Sequence, residues 1–178
     1  LSLLTAPAGS LWAETNFQVF FQDKKKYQDV LVSDVYSPDT IELESGEKIR
    51  LIGLRASDNL KKRKKIIEYD EDGNVIEHEP DAEEVAVTPI EEEALKYTTN
   101  LLLGKHVRLE FDDQKKTDHY DATFAYVYLI ENNTFVNLEI LRQGFAFLQI
   151  IPPNMKFAEE LRAAYRQARE ERRGLQNE

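Results

Sequence analysis

Short runs in which apolar and polar side chains alternate dominate the first third of the chain. Asp29 to Val35 alternates loosely and predicts a strand, Thr40 to Leu43 predicts a second, and Lys48 to Leu54 a third. In the third, Ile49 and Leu51 fall on one face and Arg50 and Ile52 on the other. Glu44, Ser45, Gly46 and Glu47 supply the turn before it. Strands this short, joined by tight turns, predict a meander or a small closed barrel.

The period then lengthens. Thr88 is a capping residue, Pro89 suits a first helical position, and Glu91 completes a capping box, so a helix starts here and Gly104 closes it. His106 to Phe111 and Thr123 to Ile130 return to strand, and Asn132 and Asn133 turn the chain into a short extended run, Thr134 to Val136. A short helix over Asn137 to Gln143 is stopped by Gly144. Pro152 and Pro153 break the chain, and Asn154 is placed to cap a last helix, on which Ala158, Leu161, Tyr165 and Ala168 fall at core spacing. Strands followed by helices in this order predict an α+β chain, mainly β barrel. An OB-fold carrying three helices is one of the architectures this pattern allows.

Residues 59 to 87 interrupt that plan. Lys61 to Lys65 is wholly basic, whereas between Glu68 and Glu93 there are twelve acids and no Lys or Arg. Ile66 to Tyr69 and Val75 to Glu77 flank Asp72 and Gly73, which predicts an inserted, charged β-hairpin. At its ends a solvated loop is an equal reading. The basic run has two readings as well, a hold on a nucleic-acid backbone and a solvated loop facing the acids of its own insertion.

A length of 178 residues suits one domain, and the absence of cysteine excludes disulfides, thiolate catalysis and Cys-ligated zinc. The net charge of -10 argues against strong non-specific binding to nucleic acid, whose affinity for proteins comes mainly from Lys and Arg, but it leaves room for a local basic groove. Residues 1–28 are set apart as an N-terminal arm. Its apolar start, Leu1 to Glu14, resembles the tail of a secretory signal peptide, which would imply export to the periplasm or beyond; an ordered arm packed on the domain is the other reading. No stretch is long and apolar enough to span a membrane.

Four segments of the remaining domain, 29–178, carry a resemblance. Val35 to Ile41 is similar to the Val-x-Asp-Gly-Asp-Thr-x segment of thermonucleases, and Ile49 to Asp58 to their Ile-Arg-Leu-x-Gly-Ile-Asp-Ala-Pro-Glu segment. Asp118 to Val127 resembles Asp-Lys-Tyr-Gly-Arg-x-Leu-Ala-Tyr-Val, and Val136 to Ala146 resembles Val-Asn-x-x-Leu-Val-x-x-Gly-x-Ala. The chain is thereby identified with the staphylococcal-nuclease-like family. That resemblance implies a five-stranded OB barrel with three helices, and calcium-assisted hydrolysis of phosphodiester bonds in DNA and RNA.

Residue by residue, the resemblance implies a degenerate site. A calcium carboxylate falls on Asp39, a phosphate-binding and catalytic arginine on Arg50, and the general base on Asp58, one methylene shorter than the usual Glu. The second calcium carboxylate falls on Arg55, a charge reversal, and the second catalytic arginine on Ala122. Pro38 replaces a Gly and Ser57 a Pro. Tyr120 retains a substrate-stacking role and His119 stands near the substrate phosphate, while Ile150 and Pro152 fall where further stacking aromatics would be. Removal of one transition-state donor typically costs ~10²–10³ in rate. Phosphodiesterase activity is therefore expected to be lost or nearly so. A tightly bound cofactor is not expected, with calcium present only if the nuclease reading holds. Arg55 is expected to stand in for the metal by an internal ion pair with Asp39, with Asp58 as a further partner in reach.

Three functions remain open at this point. One is a thermonuclease-like domain that binds nucleic acid weakly, or binds a protein through the acidic 68–93 region. Another is a metal-dependent nuclease working through a rearranged site. The third is a module that offers an OB groove to peptides.

Overall fold

The first alternating run becomes a long strand, β1 (Val30–Ser37), which turns at Pro38 and Asp39 into β2 (Thr40–Leu43) and then, through Gly46, into β3 (Lys48–Leu51). The structure is a computed structural model, and it describes residues 26–61, 66–69, 75–78, 87–112, 117–118 and 121–177, with 66–69 and 75–78 described by their backbone. The apolar start of the chain, most of the Lys61 to Lys65 run, His119 and Tyr120 lie outside the described residues.

The pairing of β1 with β2 slips between Val32 and Asp34 and again between Val35 and Ser37. Such bulges bend and coil a strand. The coiled β1 also pairs with β7 (His106–Glu110), through Val30 with Val107 and Leu31 with His106. β8 (Thr123–Leu129) lies parallel to β3 and antiparallel to β7, so the order β1-β2-β3-β8-β7 closes on itself. Closure removes exposed strand edges. It yields the five-stranded OB barrel that the sequence predicts. Its lumen is filled by side chains such as Val32, Ile41, Ile49, Val107, Ala125 and Val127, all 0% exposed. Burial of one such branched side chain contributes about 1.5–3 kcal/mol.

Helices pack around this barrel: a single turn α1 (Asp58–Lys61), then α2 (Pro89–Leu102), α3 (Val136–Arg142) and α4 (Ala158–Glu170). The last three are those expected. The capping box at Thr88 and Glu91 is formed in both directions. Inside the insertion, β5 (Ile66–Tyr69) pairs antiparallel with β6 (Val75–His78), from Ile66 against His78 to Tyr69 against Val75, as the predicted hairpin requires; residues 70–74 lie outside the described residues.

Four sequence expectations are corrected. The strand predicted from Lys48 to Leu54 is two strands. Ile52 donates to the carbonyl of Ala125, Gly53 takes φ 86°, and β4 (Gly53–Arg55) departs to pair with β9 (Phe147–Gln149). Only glycine suits Gly53, because a Cβ there would lie 2.4 Å from Leu161 Cδ1. The run at Thr134 to Val136 is not a strand, since Phe135 makes a single bridge to Tyr128 and Val136 already opens α3. Asn154 does not cap α4; Phe157 stands at that position without a side-chain cap, and Asn154 is buried. Tyr27, assigned to the arm, is a core residue at 1% exposure. Its ring meets Phe111 edge-on at 4.9 Å, its hydroxyl donates to Glu47, and its carbonyl accepts from the Leu109 N–H.

One buried amide ties these layers together. Asn137, 0% exposed, donates to the Ile52 carbonyl at 2.8 Å and accepts from the Val127 N–H at 2.9 Å. It thereby anchors α3 to β8 and to the kink before β4.

Candidate functional site: an arginine between two aspartates

Arg50 sits on β3 between Ile49 and Leu51, which point into the barrel, so its side chain emerges on the outer face. Its cross-strand neighbours are Thr40 on β2 and Phe124 on β8. Two carboxylates bracket the guanidinium. Nη1 lies 3.9 Å from Asp39 Oδ2 and Nε 3.1 Å from Asp118 Oδ2. The Nε contact is close but its N–H is not aligned for a hydrogen bond, and the atom is buried without a partner in the described residues. Beside the guanidinium opens a cavity of about 230 Å³, lined by Arg50, Asp118, Phe124, Gln149, Ile151 and Asn154 together with residues 51–54.

Asp39 is held by the turn that carries it. Its Oδ1 accepts from the hydroxyls of Ser37 (2.7 Å) and Thr40 (2.8 Å), and its Oδ2 from the N–H of Ala56 (2.8 Å). It is 1% exposed. Asp118 is held by Ala122: its Oδ1 accepts from the Ala122 N–H at 3.0 Å and its own N–H donates to the Ala122 carbonyl at 2.8 Å. Ala122 is 2% exposed, so no cation reaches the cavity from that position.

Of the two carboxylates expected to meet Arg55, Asp58 does so and Asp39 does not. Asp39 faces Arg50, and Arg55 Nη1 lies 3.6 Å from Asp58 Oδ2. The cause is the kink at Gly53. It sends β4 to β9, where the cross-strand partner of Arg55 is Phe147, and the guanidinium sits 5.4 Å from that ring. Asp58 is itself the first residue of α1, with its side chain 70% exposed.

Glu91 is a site-shaping residue that the sequence did not single out beyond its capping role. It lies in the acidic 68–93 region, yet it turns inward and is 4% exposed. Its carboxylate accepts from the Ser57 hydroxyl, from the Asn59 amide at 3.1 Å and from the Thr88 N–H at 2.8 Å. Burial opposes its ionisation, but these donors outweigh burial and hold the carboxyl below the usual carboxylate range. Glu91 thus clamps both ends of the insertion and the loop that carries Asp58.

Asp39, Arg50 and Asp118 lie together beside the cavity, and comparison with known proteins decides the family. A family model described as staphylococcal nuclease homologue matches residues 48–178. The chain belongs to the staphylococcal nuclease homologues. Its relatives include the thermonuclease of Staphylococcus hyicus, 34% identical over 89 residues, which covers 50% of this chain and 51% of that protein. The chain thus spans about half the length of that relative. The thermonuclease of Staphylococcus intermedius is 28% identical over 153 residues, covering 82% of this chain and 77% of the relative. An uncharacterised protein of Methanocaldococcus jannaschii is 28% identical over 172 residues, covering 93% and 79%.

As a staphylococcal nuclease homologue this chain invites a test for calcium, which takes six to eight oxygen ligands. The donor set does not fit. Both oxygens of Asp39 are already engaged by hydroxyls, an N–H and a guanidinium. The position of a second carboxylate holds Arg55, and Asp58 pairs with it. Among the described residues no three His, Cys, Asp or Glu side chains gather into a metal-binding group. No helix among the described residues is long and apolar enough to cross a membrane.

Proposed function

We propose that this chain binds single-stranded nucleic acid at the Arg50 cavity and hydrolyses its phosphodiester bonds slowly or not at all. The observation that carries this reading is an arginine on the cavity wall, held between Asp39 and Asp118. The planar fork of arginine suits a phosphate oxygen. A cavity of about 230 Å³ is smaller than the roughly 300–1,000 Å³ of ordinary ligand pockets, which favours one nucleotide unit over a duplex. Family membership and the thermonuclease relatives support the choice of nucleic acid.

The same geometry supports weak chemistry. Hydrolysis needs positive charge aimed at the transition-state phosphate, and here one arginine is bracketed by two acids while Ala122 supplies none. Asp39 and Asp58 remain the residues on which any activity would rest.

The test is incubation with plasmid, single-stranded DNA and RNA in calcium, in manganese and in chelator, beside anisotropy binding at rising salt. Salt-dependent binding with no metal-dependent cleavage supports the proposal. Metal-dependent cleavage abolished by Asp39→Ala and by Arg55→Ala would install instead a nuclease with a rearranged site, for which the Arg55–Asp58 pair is the structural basis. Failure to bind nucleic acid at low salt would leave the peptide-binding groove.

A further inference from the structure

A second groove, of about 630 Å³, opens where the end of α4 and the 3-10 turn Gly174–Asn177 meet β9. Phe147, Tyr165, Arg169, Arg172 and Gln176 are among its walls. In a protein of net charge -10, two guanidinium groups on one groove are a local reversal of sign. Arg162 pairs with Glu159 and Arg173 with Glu171, whereas Arg166, Arg169 and Arg172 form no ion pair among the described residues, and of these three Arg169 and Arg172 line the groove.

The backbone at Arg172 adds an independent observation. α4 ends with the Arg173 N–H donating to the Ala168 carbonyl and the Arg172 N–H to the Arg169 carbonyl, and Arg172 takes φ 52°. This is the left-handed closing position that favours glycine. The chain carries arginine there instead and so places a cation on the groove at the expense of local strain.

The groove and the Arg50 cavity are both walled by residues of β9. Phe147 lines the groove and Gln149 lines the cavity, two residues apart on the same face of β9, or about 7 Å along the strand. Their partners on β4 are Arg55 and Gly53, and the Arg55 guanidinium rests on Phe147. We infer that Arg169 and Arg172, with Phe147 and Tyr165, form a second subsite for the phosphates and bases of a single strand whose neighbouring unit occupies the Arg50 cavity. Arginines that hold phosphate and aromatic faces that stack bases are the two elements of single-strand binding, and a strand of a few nucleotides spans both places. The inference rests on the proposed binding of nucleic acid.

The experiment is anisotropy with a fluorescent twelve-nucleotide oligothymidylate and with a fluorescent thymidine dinucleotide carrying a 5′-phosphate, in chelator, for the wild type and an Arg169→Gln, Arg172→Gly double variant. Both changes are on exposed positions, and glycine relieves the left-handed backbone, so the variant folds and melts no lower than the wild type. For the twelve-mer its Kd is expected to rise about tenfold and its log–log salt slope to fall by about 1.4, or about 0.7 for each phosphate left without its arginine. The dinucleotide is expected to bind both proteins alike. Unchanged twelve-mer affinity and slope in the folded variant would overturn the subsite and leave the proposed function standing. Equal weakening of the dinucleotide would overturn the division into two subsites. Displacement of the twelve-mer from the wild type by a polyglutamate of matched length, as well as by unlabelled oligonucleotide, would overturn nucleic acid in favour of an acidic peptide. No binding of either probe by the wild type would overturn the subsite and the proposed function together.

Discussion

Ser57 donates its hydroxyl to the Glu91 carboxylate across 34 residues of chain, and the hydrogen bond closes the base of the insertion over the loop that carries Asp58. Both groups are buried, Ser57 at 9% and Glu91 at 4% exposure. Replacement of Glu91 by alanine would leave the Ser57 hydroxyl and the Thr88 N–H without their acceptor, and is expected to destabilise by about 1–3 kcal/mol. Urea unfolding measures this, and chain opening between 57 and 88 would appear as faster proteolysis of the insertion.

The same carboxylate sets a pH dependence. Its folded pKa lies below its ordinary value of 4.5, so its contribution to stability is fully present above that value and is lost as pH falls through the folded pKa. Glu91→Gln is expected to flatten the wild-type loss of stability in the acid range below about pH 4.5, leaving the neutral range parallel to the wild type. Thermal melts from pH 7 to pH 3 check the slope, and identical slopes for both proteins would assign the acid sensitivity to other carboxylates.

Arg50 neutralises Asp39 and Asp118, which are 1% and 8% exposed at their side chains. Arg50→Leu would take the guanidinium away from both carboxylates, which keep their hydrogen bonds from Ser37, Thr40, Ala56 and Ala122. The expected cost is on the order of 2–3 kcal/mol, below the 3–5 kcal/mol of a fully buried pair because the arginine is 22% exposed. Addition of Asp39→Asn and Asp118→Asn to Arg50→Leu is expected to recover much of that stability in urea titrations, without recovering oligonucleotide binding.

Arg55→Asp removes a cation and places a carboxylate at the end of β4, beside Asp58. Calcium at millimolar levels is expected to raise the melting temperature of this variant and to leave that of the wild type unchanged, since a ligand stabilises only the state that binds it. Insensitivity of the variant to calcium would show that the hydroxyls and N–H on Asp39 hold it away from any metal.

Gly53→Ala and Asn137→Leu probe the kink that separates β3 from β4. The first drives a methyl to 2.4 Å from Leu161 Cδ1 at φ 86°. The second leaves the Ile52 carbonyl and Val127 N–H unpaired in the core. Each is expected to cost about 2–4 kcal/mol, read from urea midpoints.

Much of the barrel was legible because its strands are half-buried and alternate, and because Thr88, Pro89, Gly104 and Gly144 punctuate the helices by local chemistry alone. The exceptions have physical causes. The period of Lys48 to Leu54 continues smoothly through Gly53, and the kink there is held by long-range contacts, Asn137 on the Ile52 carbonyl and β9 on β4. β9 is three residues long and exists because β4 lies beside it. Asn154 is a good capping residue whose position was taken by Phe157, while its own side chain was drawn into the cavity wall.

By itself the sequence determined the fold family, the charges present at Asp39, Arg50, Arg55 and Asp58, and the missing cation at Ala122, because these follow from residue identity and the order of segments. The tertiary structure decided which charges meet. Arg50 rather than Arg55 faces Asp39, Asp118 completes the bracket, and Glu91 reaches Ser57. Electrostatic pairing depends on distances across the barrel, and those are set by register, by one kink at Gly53 and by the return of β9, none of which the order of residues along the chain specifies locally.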